Sequence, residues 1–234
     1  HELRTPLTSI RSYAETLTEN PDMEKETEVS FLHVILNESD RMTKIVQDLL
    51  ELSRFDAGNV QFNFERFSIS KSIEDVRDAV RLEAASRGHT ISVTIPEGLP
   101  HIVGDRARIE QVLINIVSNA IKYTPDGGYI DITSGSGDGH VWVAIQDTGI
   151  GIPEEDIPRL FDRFYRVDKA RSRESGGTGL GLSIALEIIQ RHGGDVDVTS
   201  VVGEGTTVTV RLPIEPKAAD GEKSAGGRHH ALEE

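Results

Sequence analysis

Apolar residues at Leu3, Leu7, Ile10, Ala14 and Leu17 recur at intervals of four, three, four and three, the spacing of a helix that offers one seam to a neighbour. Asn20-Pro21-Asp22 interrupts the run. Leu32, Ile35, Met42, Val46 and Leu49 then resume it, with Ser39 as a polar break and Phe31, Ile45 and Leu52 widening the stripe. Two antiparallel helices are expected. A lone hairpin cannot bury a stripe of this width, so pairing with a second copy as a four-helix bundle is the simple solution.

Gly58, in Ser53-Arg-Phe-Asp-Ala-Gly-Asn59, suits a helix C-cap, and beyond it the rhythm changes. Val60–Phe67 and His89–Ile95 alternate as strands around a helix from Ser68 to Arg87. A short strand at His101–Gly104 precedes a helix from Arg106 to Lys122, and the strands Tyr129–Ser134 and His140–Asp147 form a hairpin. A helical turn around Glu154–Phe164, a helix from Leu182 to His192 and the strands Asp195–Ser200 and Thr206–Leu212 complete the pattern. The expected fold is α+β: a helical hairpin at residues 1–59, then an α/β sandwich at 60–214 with a mixed sheet and helices on one face. Residues 215–234 are rich in Ala, Gly, Lys, Glu and His without periodicity and are expected to be disordered.

Composition narrows the classes. A net charge of −14 argues against broad nucleic-acid or anionic-membrane binding, and the absence of cysteine excludes thiolate metal sites, disulfides and cysteine nucleophiles. No apolar run reaches the roughly 20 residues of a membrane-spanning helix. The chain opens at His1, without Met and in mid-pattern, so it reads as a piece of something longer, and any membrane anchor would lie upstream.

The chemistry gathers at two stretches. Gln146-Asp-Thr-Gly-Ile-Gly-Ile-Pro153 delivers Asp147 to the end of a strand, where Gly149 and Gly151 let the backbone turn beside it. Gly176-Gly-Thr-Gly-Leu-Gly-Leu182 runs straight into a helix whose free N–H groups and positive dipole end favour phosphate. Either alone is as readily a plain turn. Together they offer a carboxylate and an anion cradle, suited to a purine amine and a polyphosphate. Asn115, Asn119 and Lys122, four and three apart, share one helix face: amide oxygens are hard ligands for Mg2+, and the lysine offers a charge to phosphate.

The second unit resembles the catalytic and ATP-binding domain of sensor histidine kinases, a branch of the ATPase superfamily shared with Hsp90, gyrase B and MutL. Asn115-Ile-Val-Ser-Asn119-Ala-Ile-Lys122-Tyr123 is similar to the family's N box, Asp147-Thr-Gly149-Ile-Gly151 to its G1 box, Phe161-Asp-Arg-Phe164 to its F box and Gly177-Thr-Gly179-Leu180-Gly181-Leu182 to its G2 box; Gly203-Glu-Gly205 resembles a third glycine box. The resemblance implies that Asp147 accepts the adenine amine and that Asn119 coordinates Mg2+ with help from Asn115. It also implies that Lys122 meets phosphate and Tyr123 the nucleotide's rings. Tyr165–Ser175, with Arg166, Lys169, Arg171 and Arg173, would be the ATP lid, and Arg166 the first choice for a γ-phosphate contact.

His1-Glu-Leu-Arg-Thr-Pro-Leu7 resembles the H box of the dimerisation and phosphotransfer domain that accompanies such ATP domains. The resemblance implies a two-component homodimer in which His1 takes the γ-phosphoryl group and passes it to an aspartate of a response regulator. Glu2 would hold and deprotonate the ring. Thr5 would help place a water that dephosphorylates the regulator. Pro6 deprives the Glu2 carbonyl of a helical donor and is expected to bend the helix there. Arg11, Ser12 and Glu15 are candidate regulator contacts. His33, His89, His101, His140 and His192 read as structural or surface residues.

Arg163-Phe-Tyr-Arg-Val-Asp-Lys-Ala-Arg and Thr5-Pro-Leu-Thr-Ser-Ile-Arg-Ser-Tyr13 are similar to the WalK/VicK and PhoR-like subgroup, which implies the cytoplasmic portion of a bacterial membrane sensor. The family's first helix extends several turns before the histidine, so weakened dimerisation is expected here. The alternatives are another ATPase of the superfamily and a nucleotide-binding signalling scaffold that transfers nothing.

Overall fold

The computed structural model describes residues 2–167 and 177–215. Helices α1 (Arg4–Glu19) and α2 (Lys25–Asp56) form an antiparallel hairpin, closed near its tip by the edge-on rings of Tyr13 and Phe31, 4.9 Å apart. Leu7, Leu32, Leu36, Val46 and Leu50 are exposed along the hairpin. Ile45, Leu52 and Phe55 are buried; Leu52 and Phe55 join the core of the α/β unit, so the lower end of α2 belongs to both packings.

The α/β unit runs β1 (Glu65–Phe67), α3 (Ile69–Ser86), β2 (Thr90–Thr94), β3 (Ile102–Gly104), α4 (Arg106–Tyr123), β4 (Tyr129–Gly137), β5 (His140–Asp147), α5 (Gly181–Arg191), β6 (Asp195–Val201) and β7 (Gly205–Pro213). Five strands make a mixed sheet in the order β2-β4-β5-β7-β6, parallel between β2 and β4 and antiparallel elsewhere; β1 and β3 pair separately. Alternation along β5 sends Val141, Val143 and Ile145 into the core with Ile109, Val112, Leu113, Ile116 and Val117 of α4. Ser68 and Asp105 cap α3 and α4, their side chains accepting the N–H groups of Lys71 and Arg108.

Three expectations change. Of Val60–Phe67 only Glu65–Phe67 pairs as a strand. The alternation upstream reflects Phe62 and Phe64 packing on His192 instead, with ring centres 5.3 and 4.9 Å away. The helical turn at Glu154–Phe164 narrows to a single 3-10 turn, Ile157–Arg159. Pro6 stands in the first turn of α1, where a backbone N–H has no intrahelical acceptor to lose, so it starts the helix rather than bending it; Glu2 precedes the helix. The tail beyond Glu215 lies outside the described residues.

Candidate nucleotide-binding site

Asp147 ends β5 with 9% of its surface exposed. Its Oδ1 accepts the N–H of Gly149 at 2.8 Å and, from the facing strand, the N–H of Thr206 at 3.2 Å. Burial pushes its pKa up, and these two donors pull partly back. The loop after it is tied on both sides. The Ile150 N–H reaches the Tyr123 carbonyl at the end of α4 (3.2 Å), and the Gly203 N–H reaches the Ile150 carbonyl (2.8 Å). Gly151, at φ +68°, lies against the Val201 carbonyl, where a Cβ would collide.

The second stretch faces it. Gly179, at φ +73°, accepts the N–H of Phe164 on its carbonyl at 2.8 Å, joining the F-box phenylalanine to the glycine loop. Arg166 donates to the Gly177 carbonyl, and the Lys122 amine sits where a Gly177 Cβ would be. Gly181 opens α5 beside Asn115, whose Nδ2 donates to the Gly181 carbonyl at 3.3 Å. Asn115, Asn119, Lys122 and Tyr123 of α4, Asp147 and Gly151, and Arg166, Gly177, Gly179 and Gly181 all border one cavity of about 560 Å3. Asp147 and Gly181, at the N-terminus of α5, both border it.

Lys122 is the electrostatic centre of the glycine-loop end. Burial, followed by the charges of Arg166, Lys44, Arg41 and Arg87, lowers its pKa to about 8. Among the described residues no group of His, Asp and Glu side chains could cage a metal. Asn119, with Asn115 beside it, would offer amide oxygens to Mg2+, a hard ion that needs few protein ligands.

Not every candidate lies on the cavity. Gly149 stands behind Asp147, and Leu180 points into the core, fully buried, with its N–H held by Thr178 Oγ1 at 3.2 Å. Glu2 and Thr5 lie on the hairpin away from it, Thr5 exposed. His1, Lys169, Arg171 and Arg173 lie outside the described residues. Thr178, within the second glycine stretch, also borders the cavity, as do Thr206 and the α2 residues Lys44 and Asp48, which no local pattern marks. Only strand register places Thr206 opposite Asp147, and only docking brings α2 there.

A carboxylate behind a glycine turn, faced by a glycine loop that opens a helix, defines an ATP-binding unit of the histidine kinase type. Residues 104–216 match the family described as histidine kinase-, DNA gyrase B-, and HSP90-like ATPase, and residues 1–58 match the His Kinase A phospho-acceptor domain. The chain belongs to the sensor histidine kinases, in the WalK/VicK subgroup. It is 44% identical over 94% of its length to the sensor histidine kinase WalK of Bacillus subtilis, and spans 36% of that protein. The histidine kinase ThkA in complex with the response regulator protein TrrA superposes with a TM-score of 0.76 at 28% identity, covering 92% of this chain and 60% of that one. Full-length ShkA in complex with AMPPNP gives a TM-score of 0.70 at 28% identity, covering 94% and 45%.

Proposed function

We propose that the chain binds Mg-ATP in this cavity, transfers the γ-phosphoryl group to His1 and passes it to an aspartate of a response-regulator receiver domain. The observation that carries the reading is the meeting of Asp147 and the Gly177–Gly181 loop on one cavity of about 560 Å3 that the phospho-acceptor hairpin also borders. The AMPPNP bound to ShkA and the regulator bound to ThkA support the same roles. Residues 1–59 act as the dimerisation and phosphotransfer domain and 60–214 as the catalytic one.

Asp147 accepts the adenine amine on the oxygen that Gly149 and Thr206 leave open, and the Tyr123 ring meets the nucleotide's rings. Gly177, Gly179 and Gly181 bring backbone N–H groups to the phosphates, with Lys122 and Arg166 supplying charge. Leu180 anchors the loop from the core. Asn119, assisted by Asn115, holds Mg2+, which when bound neutralises charge on the phosphate oxygens. Positioning then supplies most of the catalysis. A ring nitrogen of His1 attacks the γ-phosphorus, the bond to the β,γ-bridging oxygen breaks, ADP leaves, and Glu2 takes the ring proton. Thr5 helps place the water for regulator dephosphorylation, so the two activities coexist.

The apolar stripe on the hairpin pairs two chains as a homodimer. Among the described residues no helix is long and apolar enough to cross a membrane. The chain serves as the cytoplasmic portion of a membrane-anchored sensor. Incubation with γ-labelled ATP tests the reading: acid-labile, base-stable label on the chain, absent from His1→Gln and chased by a receiver domain, is expected. Nucleotide binding without such label would overturn it.

A further inference from the structure

Arg41, Lys44, Asp48, Glu51 and Phe55 are spaced three, four, three and four along α2, so they share the face turned toward the α/β unit. Contacts run down that face. Asp48 Oδ2 accepts the Thr178 hydroxyl at 2.8 Å, Glu51 pairs with Arg108 and accepts Gln111 Nε2 at 3.1 Å, and the Phe55 carbonyl accepts Arg191 at 3.0 Å. Asp56, at the end of the helix, takes both terminal nitrogens of Arg163 at 2.6 and 2.8 Å.

Lys44 sits one turn above Asp48, and both border the cavity at its glycine-loop end; among the described residues the hairpin lends the cavity no other. That end already holds Lys122 and Arg166, so Lys44 adds a cation from a different structural unit. One turn further up, Arg41 is only 7% exposed; its charge is felt at Lys122, while Glu38 pairs with it at 3.6 Å. Asp48, whose carboxylate also feels the charge of Lys44, accepts the Thr178 hydroxyl and so ties the helical turn that carries Lys44 to the glycine loop.

We propose that Lys44 is a phosphate-binding residue of the nucleotide site, supplied by the hairpin and reaching the terminal phosphate of a nucleoside triphosphate only while α2 is docked. Asp48 is its positioning residue. The docked chain thereby distinguishes triphosphates from diphosphates with a side chain that lies outside the ATP-binding fold. The inference rests on the ATP reading given above.

The test is calorimetric titration of the whole chain with AMPPNP and with ADP, both with Mg2+. Lys44→Gln is expected to weaken AMPPNP about tenfold and ADP less than about twofold, the loss of one charge-assisted contact to the phosphate that ADP lacks. Lys44→Arg should restore AMPPNP binding. In an Asp56→Ala, Arg163→Ala background, where docking is loosened, Lys44→Gln should change AMPPNP affinity much less than in the parent. Equal weakening of both nucleotides, or an unchanged preference in Lys44→Gln, would overturn the proposal while leaving the ATP site standing. Failure of the unaltered chain to bind either nucleotide would overturn the ATP reading itself.

Discussion

A Cβ on Gly205 would stand on the carbonyl oxygen of Asp147. Gly205 also adopts φ +127°, and it opens the strand whose next residue, Thr206, pairs with Asp147 and donates to its carboxylate. Gly205→Ala should therefore disturb the adenine end through the sheet, with no atom of the substitution facing the cavity. A loss of about 1–3 kcal/mol in denaturant unfolding, with weaker nucleotide binding, is expected.

Asp147→Asn separates binding from stability. An amide oxygen can still accept from Gly149 and Thr206, but an amide NH2 meets the adenine amine as a second donor. Nucleotide affinity should fall by about tenfold or more. The folded chain holds the Asp147 pKa above 3.8, so its favourable contribution is complete below that value and is lost as pH rises through the folded one. At neutral pH the ionised group is thus a burden on the empty protein. The variant should melt higher than the parent without nucleotide and lower in relative terms with it, as thermal scans in both conditions will read.

Lys122 makes binding pH-dependent. The uncharged amine favoured by the empty fold dominates as pH rises past about 8. Phosphate favours the charged form, so binding near that pH should draw in protons and affinity should decline several-fold above it. Titration calorimetry in buffers of different ionisation heat measures the uptake. Lys122→Met should abolish both the uptake and the decline.

His192 predicts acid sensitivity. Its Nε2 accepts the Asp105 N–H at 2.9 Å and its Nδ1–H donates to the Ile188 carbonyl at 2.7 Å, which requires the neutral ring. Burial holds its pKa below 6.5, so the stability it contributes is present above 6.5 and lost as pH falls through the folded value. His192→Phe should cost about 1–3 kcal/mol at neutral pH, the penalty of an unpaired buried N–H, and flatten the acid limb of the urea midpoint against pH.

Much of this was legible in the chain. The seams gave both helices of the hairpin, and the spacing of Asn115, Asn119 and Lys122 put them on the face that borders the cavity. Glycine runs around Asp147 and Gly179 marked turns whose positive φ the structure requires. What escaped was whatever depends on long-range packing. No local pattern marks Asp48, Glu51 and Asp56, whose partners Thr178, Arg108 and Arg163 come from the α/β unit laid against them. Alternating Phe62 and Phe64 imitate a strand because the histidine they cover lies more than a hundred residues away. Proline at position 6 signals a bend only when helix is assumed on both sides of it.

α2 runs unbroken for 32 residues, about 48 Å, from the hairpin tip to the contacts of Asp48, Glu51 and Asp56. It is the axle common to both halves of the molecule. A twist applied at its upper end is delivered directly to the wall of the cavity, so whatever torques the hairpin also reshapes the space in which a nucleotide would sit.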